Sequence, residues 1–339
     1  MDPSPSPSSD TAKTGMLLVN LGTPDSTDAA SIRRYLAEFL ADPRVVDLPR
    51  ALWLPLLHGI ILPLRSAKTG RAYATIWNEV DNESPLKTFT RAQAKGLATR
   101  FEGETVAIDW AMRYGNPSIE SRLAALKATG CTNIVIVPLY PQYSHTTTAS
   151  VTDEVTACLH RLNWQPNLRI VPAFSDHPLY VSALEQSLHR GLQDQNPEQV
   201  ILSFHGIPER YVAKGDPYPR DCEATATALR QAMGWDAGFA PLAYQSKFGR
   251  AKWLGPSTQN TIIAAAQAGK KNIAVITPGF VADCIETLEE IGIGLAQIFQ
   301  QNGGDTLTLI PCLNDSSGMI DLLADIARRE MGVLQSGSL

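Results

Sequence analysis

Residues 201–218 read ILSFHGIPERYVAKGDPY: an apolar run ends in His205, and the chain turns at once through glycine and proline. Open α/β sheets bind ligands at the carboxyl ends of their strands, which is where this histidine falls. A neutral imidazole there can bind a divalent metal or take a proton near neutral pH. A second cluster lies in residues 277–291, TPGFVADCIETLEEI. If residues 283–300 form one helix, Asp283, Glu286 and Glu290 share a face at i, i+3 and i+7. Three carboxylates at a helix start also suit a solvated surface favoured by the helix dipole. Carboxylates are harder ligands than imidazole and can equally hold a metal or a proton. Residues 110–117 (WAMRYGNP) and 137–150 (VPLYPQYSHTTTAS) also end apolar runs in polar turns. In the first, Arg113 can meet a carboxylate bidentately and Tyr114 can pack on a ring. In the second, the hydroxyl-rich loop reads equally as a helix cap, and His145 as a structural loop residue.

These residues need elements to hold them, and the chain alternates strand and helix. Strands are expected over 16–21, 105–112, 133–139, 168–173, 199–204, 238–244, 271–277 and 306–311. Helices are expected over 26–40, 118–129, 178–193, 220–233, 258–268, 283–300 and 319–331. The runs NIVIVPL and KNIAVIT are apolar on both faces, as parallel strands are. Alternation at this spacing argues for doubly wound parallel sheets. The two halves echo each other, which predicts two similar α/β lobes with a cleft between them. We expect a flexible Pro/Ser-rich tail over 1–14, a first lobe over 15–155, a second over 156–315 and a C-terminal helix over 316–332. Residues 50–65 (RALWLPLLHGIILPLR) are apolar with two internal prolines, so a clean buried helix is not expected there.

Composition excludes several classes. The chain has 339 residues, 44% hydrophobic and 19% charged, with a net charge of −5. That suits a folded protein of two domains and argues against a nucleic-acid partner. The five cysteines, Cys131, Cys158, Cys222, Cys284 and Cys312, are widely spaced with no Cys-x-x-Cys pair. Neither a disulfide framework nor a zinc or iron–sulfur site is expected, and a reducing compartment fits. No apolar run is long enough to span a bilayer, and no signal peptide is seen, so a cytoplasmic protein is expected. NLGTP at 20–24 lacks any phosphate-loop pattern, so nucleotide binding is not supported.

Taken together, NLGTP, RYGNP, PLYPQYS, SFHGIP and ETLEE, in this order across roughly 15–330, resemble the ferrochelatases. These enzymes insert ferrous iron into a porphyrin to make haem. The resemblance implies a chelatase-like fold with two parallel four-stranded sheets and a porphyrin held bent in the cleft. It implies that His205 and Glu286 are the catalytic and metal-facing pair, supported by Asp283 and Glu290. It implies porphyrin contacts from Arg65, Tyr73, Ser84, Arg113 and Tyr114. The family has glycine before Ser-Pro where this chain has Glu83. Relatives with a [2Fe–2S] cluster carry cysteine at the place of His145 and a C-terminal cysteine cluster, so no cluster and no permanent cofactor are expected here. Residues 50–65 would form a hydrophobic lip that admits the macrocycle and meets a membrane. The forms NLGTP and ADCIETLEE favour protoporphyrin IX as the partner of Fe²⁺. A coproporphyrin enzyme, or a two-lobed tetrapyrrole or metal carrier without catalysis, are the alternatives.

Overall fold

The computed structural model describes residues 13–336, except residues 194, 248 and 250. The expected tail over 1–14 therefore lies almost wholly outside the described residues. Eight strands form two parallel four-stranded sheets. The first holds β1 (Thr14–Thr23), β2 (Val106–Gly115), β3 (Asn133–Pro138) and β4 (Asn167–Ile170) in the order β2-β1-β3-β4. The second holds β5 (Gln199–His205), β6 (Leu242–Gln245), β7 (Asn272–Ile276) and β8 (Thr306–Leu309) in the order β6-β5-β7-β8. The halves thus share one topology, as their sequence echo implies.

Side-chain alternation explains why the strands read as unbroken apolar runs. Met16, Leu18, Val135 and Val137 point to one face of the first sheet; Leu17, Val19, Ile134 and Ile136 point to the other. Val200, Leu202, Ala274 and Ile276 likewise oppose Ile201, Ala243, Ile273 and Val275 in the second sheet. The first set from each sheet joins a single core between the lobes. Five helices among the described residues contribute to that core: α4 (Pro85–Arg100), α7 (Pro178–Gly191), α8 (Glu209–Ala213), α9 (Tyr218–Met233) and α13 (Ser317–Ser336). The outer faces are covered by α5 (Ile119–Ala128) and α6 (Thr148–Arg161) on one sheet, and by α10 (Thr258–Gln267) and α12 (Ala296–Gln301) on the other. Helix starts follow local signals: Ser118 caps α5 by accepting the Ser121 N–H at 3.2 Å, and Asp28 caps α1 (Ala29–Ala41) by accepting those of Ala30 and Ser31.

The first sheet extends past the 155/156 boundary expected between the lobes. β4 pairs in register with β3, from Asn133 opposite Asn167 to Ile136 opposite Ile170, so the first sheet is complete only after Ile170. Strand pairing between segments more than thirty residues apart is a long-range choice that local spacing does not record. The C-terminal helix also belongs to both lobes, because α13 packs on α4 and β3 as well as on α7.

Residues 50–74, which include the apolar segment 50–65, are not one clean buried helix, as expected. They are helical throughout, as α2 (Arg50–Leu56), a π-helical turn (Leu57–Ile61) and α3 (Leu62–Ala74). The wide turn lies between Pro55 and Pro63, whose rings carry no backbone N–H to donate.

Candidate active site

A cavity of about 480 Å³ opens between the lobes. It sits where both sheets reverse their winding: Asn20, Leu21 and Gly22 lie among the last residues of β1, Leu139 and Tyr140 follow β3, His205 ends β5 with Gly206 just after it, and Gly279 and Phe280 follow β7. Its size falls within the range of small-molecule sites. The wall is mostly apolar and aromatic, including Tyr35, Phe39, Trp53, Tyr73, Tyr211, Tyr218, Trp253 and Phe280.

His205 is placed with one nitrogen already committed. Its Nδ1 lies 2.6 Å from the Gly206 carbonyl oxygen, which can only accept. Nδ1 therefore carries a hydrogen, and in the neutral ring Nε2 holds the lone pair. The ring lies between Trp253 and Phe280, with centroids 6.5 and 6.3 Å away. Gly206 is required by crowding: a Cβ there would meet the Gln245 carbonyl oxygen at 2.9 Å and the Trp253 ring at 3.1 Å. Gly22 in NLGTP is required more strictly, because its φ of +118° and the Tyr114 carbonyl oxygen both exclude a side chain.

Glu286 lies in the first turn of α11 (Ile285–Leu288) and lines the same cavity. A buried chain of polar groups ties its backbone to the histidine strand. Ser203 Oγ donates to Gln245 Oε1 at 2.7 Å, and Gln245 Nε2 donates to the Glu286 carbonyl at 2.7 Å. Gln245 is also the register partner of His205. The Glu286 charge reaches Tyr73 and Cys284, which burial together with this carboxylate pushes well above their ordinary pKa values.

The three acids do not share one helical face. Asp283 precedes α11, is 4% exposed, and accepts from Asn314 Nδ2 at 2.7 Å and Thr287 Oγ1 at 3.0 Å. It braces the loop after β7 and does not line the cavity. Glu290 opens a second π-helical turn, Glu290–Leu295. It accepts from the Ser246 N–H at 2.8 Å and Oγ at 2.6 Å, just behind the cavity wall. Burial raises its pKa, opposed by Ser246 and the nearby His205.

Of the residues implied to touch porphyrin, Arg65, Tyr73 and Ser84 line the cavity. Burial lowers the Arg65 pKa. Ser84 caps α4, and the unexpected Glu83 before it is accounted for: it is 7% exposed, pairs with Arg91 at 2.6 Å and accepts from Thr88. Arg113 and Tyr114 are off the wall. Arg113 Nη2 meets Asp42 Oδ2 at 2.7 Å, and the same oxygen accepts from Tyr114 OH at 2.7 Å and Ser150 Oγ at 2.6 Å. Arg113 is thus spent on a buried carboxylate, and Tyr114 is 1% exposed behind Phe39. His145 is also off the wall; its backbone N–H donates to Asp216 Oδ2 at 2.8 Å, beside the Ser144 hydroxyl at the same distance. Among the described residues no three His, Cys, Asp or Glu side chains cluster as a metal cage.

Arg210, Tyr211, Trp253 and Gln142 line the cavity without having been singled out from sequence. Only the closeness of Arg210 and Tyr211 to SFHGIP marked them. Tyr211 and the KGDPY string clamp the lobes together: Tyr211 OH donates to the Val45 carbonyl at 2.9 Å, Lys214 bonds Asp47, and Asp216 holds the 144–145 loop.

Known proteins resemble this chain over nearly its whole length. The family model described as ferrochelatase matches residues 13–331. A ferrochelatase of Chelativorans sp. (strain BNC1) is 51% identical over 322 residues, covering 94% of this chain and 91% of that protein. One of Rhizobium meliloti is 50% identical over 322 residues, covering 94% and 95%. Among solved structures, SirB from Bacillus subtilis with Fe³⁺ aligns at a TM-score of 0.58 and 12% identity, covering 96% of this chain and 98% of that one. CbiX, described as the terminal enzyme of sirohaem biosynthesis in denitrifying bacteria, aligns at 0.50 and 12% identity, covering 93% and 98%. At that identity the likeness is one of fold.

Proposed function

The chain belongs to the ferrochelatase family, lyases of haem synthesis that put ferrous iron into a porphyrin, and on that premise we propose that it inserts Fe²⁺ into protoporphyrin IX held in the cavity between its lobes. The observation that carries this reading is a largely apolar cavity whose two proton- and metal-accepting side chains, His205 and Glu286, come from neighbouring strand ends of one lobe. Insertion exchanges one Fe²⁺ for two pyrrole N–H protons, so two protons must leave the cavity. His205 accepts at Nε2, the nitrogen its Gly206 bond leaves free. Glu286 accepts the other proton or holds the metal as its water is stripped. Glu290, held on Ser246 behind the wall, supports the pair, and Asp283 supports it only by bracing the loop that carries Glu286. Aromatic walls grip the macrocycle. The reaction needs no resident cofactor on this reading, since iron is substrate.

We place the reaction in the cytoplasm against a membrane. No helix among the described residues is long and apolar enough to cross one. The support for contact is the exposed row Leu52, Leu56, Ile60 and Leu64, spaced four residues apart along α2, the π-helical turn and α3, next to the cavity-lining Trp53 and Arg65.

The deciding experiment is anaerobic incubation with Fe²⁺ and protoporphyrin IX or coproporphyrin, following loss of porphyrin fluorescence. Wild-type protein is expected to metallate protoporphyrin faster, while His205→Ala binds it but turns over at least ~100-fold more slowly. Glu286→Gln should cut turnover with little loss of affinity. Binding without metallation by the wild type under any divalent metal would make the protein a carrier.

A further inference from the structure

Charge on the cavity wall singles out Arg210. Among the described residues the wall carries two guanidinium groups, Arg65 and Arg210, against one carboxylate, Glu286, and one imidazole, His205. Arg65 comes from α3 of the first lobe, and Arg210 from the first turn of α8 (Glu209–Ala213) in the second. The neighbouring acid, Asp47, is bonded to Lys214 and also feels the Arg210 charge, without a direct bond to it. Arg210 forms no ion pair among the described residues, and its polar contact is a long 3.5 Å approach to the Tyr211 hydroxyl.

The group is nonetheless held. Its guanidinium carbon lies 5.1 Å from the centroid of the Tyr211 ring. That ring is 6% exposed and cannot swing, because its hydroxyl donates to the Val45 carbonyl at 2.9 Å and accepts the Asp47 N–H at 3.3 Å. A guanidinium resting on a fixed aromatic face keeps its in-plane N–H edges for a ligand, and that fork matches a carboxylate. A carboxylate drawn toward an apolar cavity is costly unless it is paired.

We propose that Arg210 is a specificity-determining residue that receives a propionate carboxylate of the porphyrin at the second-lobe rim. The proposal rests on the reading that the cavity holds a porphyrin. It makes Arg210 a reader of substrate charge, acting on capture rather than on metal insertion.

The test compares protoporphyrin IX with its dimethyl ester, which keeps the ring and removes both charges. Binding is read by fluorescence quenching and turnover with Fe²⁺, for wild type, Arg210→Gln and Arg210→Lys. Arg210→Gln is expected to raise KM for the diacid about tenfold with kcat within about twofold, and to leave ester affinity unchanged, so that the preference for the diacid shrinks about tenfold. Arg210→Lys should recover part of that preference, because a point charge replaces a fork. Equal loss of diacid and ester would mean that Arg210 only supports Tyr211 packing, and an unchanged diacid KM would mean that it touches no carboxylate; either result overturns the proposal. A wild-type protein that binds neither porphyrin overturns the functional reading itself, and this inference with it.

Discussion

Two arginines near the cavity illustrate how much a side chain's meaning depends on what already holds it. Arg113 is matched by a buried carboxylate, Asp42, which also takes the hydroxyls of Tyr114 and Ser150. Such a site is a structural hub: it anchors the turn after α1, whose next residues Val45, Val46 and Leu48 form one wall of the cavity. Arg113→Ala leaves Asp42 buried with its cation gone, a change of about 3–5 kcal/mol for buried pairs. The expected outcome is a large drop in Tm with porphyrin Kd unchanged to within about twofold in the folded protein. An unchanged Tm with much weaker porphyrin binding would return Arg113 to the binding surface. His205 shows the opposite case, since its bond to the Gly206 carbonyl occupies Nδ1 and leaves Nε2 without a hydrogen bond among the described residues.

At the scale of elements, the segment from Asp283 to Gln301 is set apart by its irregularity. A single α-helix would have stacked three carboxylates on one face. Instead Cys284 caps a four-residue α11, and the π-helical turn starting at Glu290 changes the phase of the helix from there on. Glu290 is thereby turned onto Ser246, whose φ of +63° aims its N–H and hydroxyl together at the carboxylate. Burial holds the folded-state pKa of Glu290 above its ordinary value of 4.5. A raised carboxyl favours folding when protonated, and that contribution is lost as pH rises through the folded value. Glu290→Gln keeps an acceptor for Ser246 and cannot ionise. It should therefore raise Tm relative to wild type at pH 8, with the gain vanishing as pH falls below 4.5. Thermal melts at pH 8 and pH 4 check this; a loss at pH 8 would mean that the charged bonds to Ser246 outweigh the burial of Glu290.

At the scale of the molecule, two equivalent sheets face each other across one shared core, and the cavity lies where both present their strand ends. Gln93 reaches across to the Val281 and Asn314 carbonyls, and Tyr211 and Asp216 reach back to the first lobe, so the walls are tied from both sides. The helical arch of α2 and α3 buries Trp53, Leu57 and Leu62 inward and still shows leucine and isoleucine outward. An exposed apolar ridge of this kind, flanked by the exposed Arg50, Lys68 and Arg71, suits the surface of an anionic bilayer. Each leucine removed from water contributes roughly 1.5 kcal/mol or more. Leu52→Gln, Leu56→Gln and Leu64→Gln combined should abolish co-sedimentation with anionic vesicles while detergent-solubilised porphyrin is still metallated. Unchanged sedimentation would remove the membrane from the proposal.

Features that repeat or cap locally were legible in the order of residues alone. Strands buried on both faces, the α/β alternation, the twin halves, the glycines in NLGTP and SFHGIP, and the placing of His205 at a strand end all follow from spacing. Arg65, Tyr73, Ser84 and Glu286 were legible as candidates through resemblance. Pairings between distant segments were settled only by the folded chain. Folding put β4 in the first sheet, gave Arg113 to Asp42 seventy-one residues away, set Asp283 to bracing a loop, and left Arg210 on the cavity wall without an ion pair among the described residues. The reason is physical. A period or a cap is dictated by neighbours a few residues apart, whereas the partner of a buried charge is chosen by whichever segment the folded lobes bring within about 3 Å, and no local pattern encodes that choice.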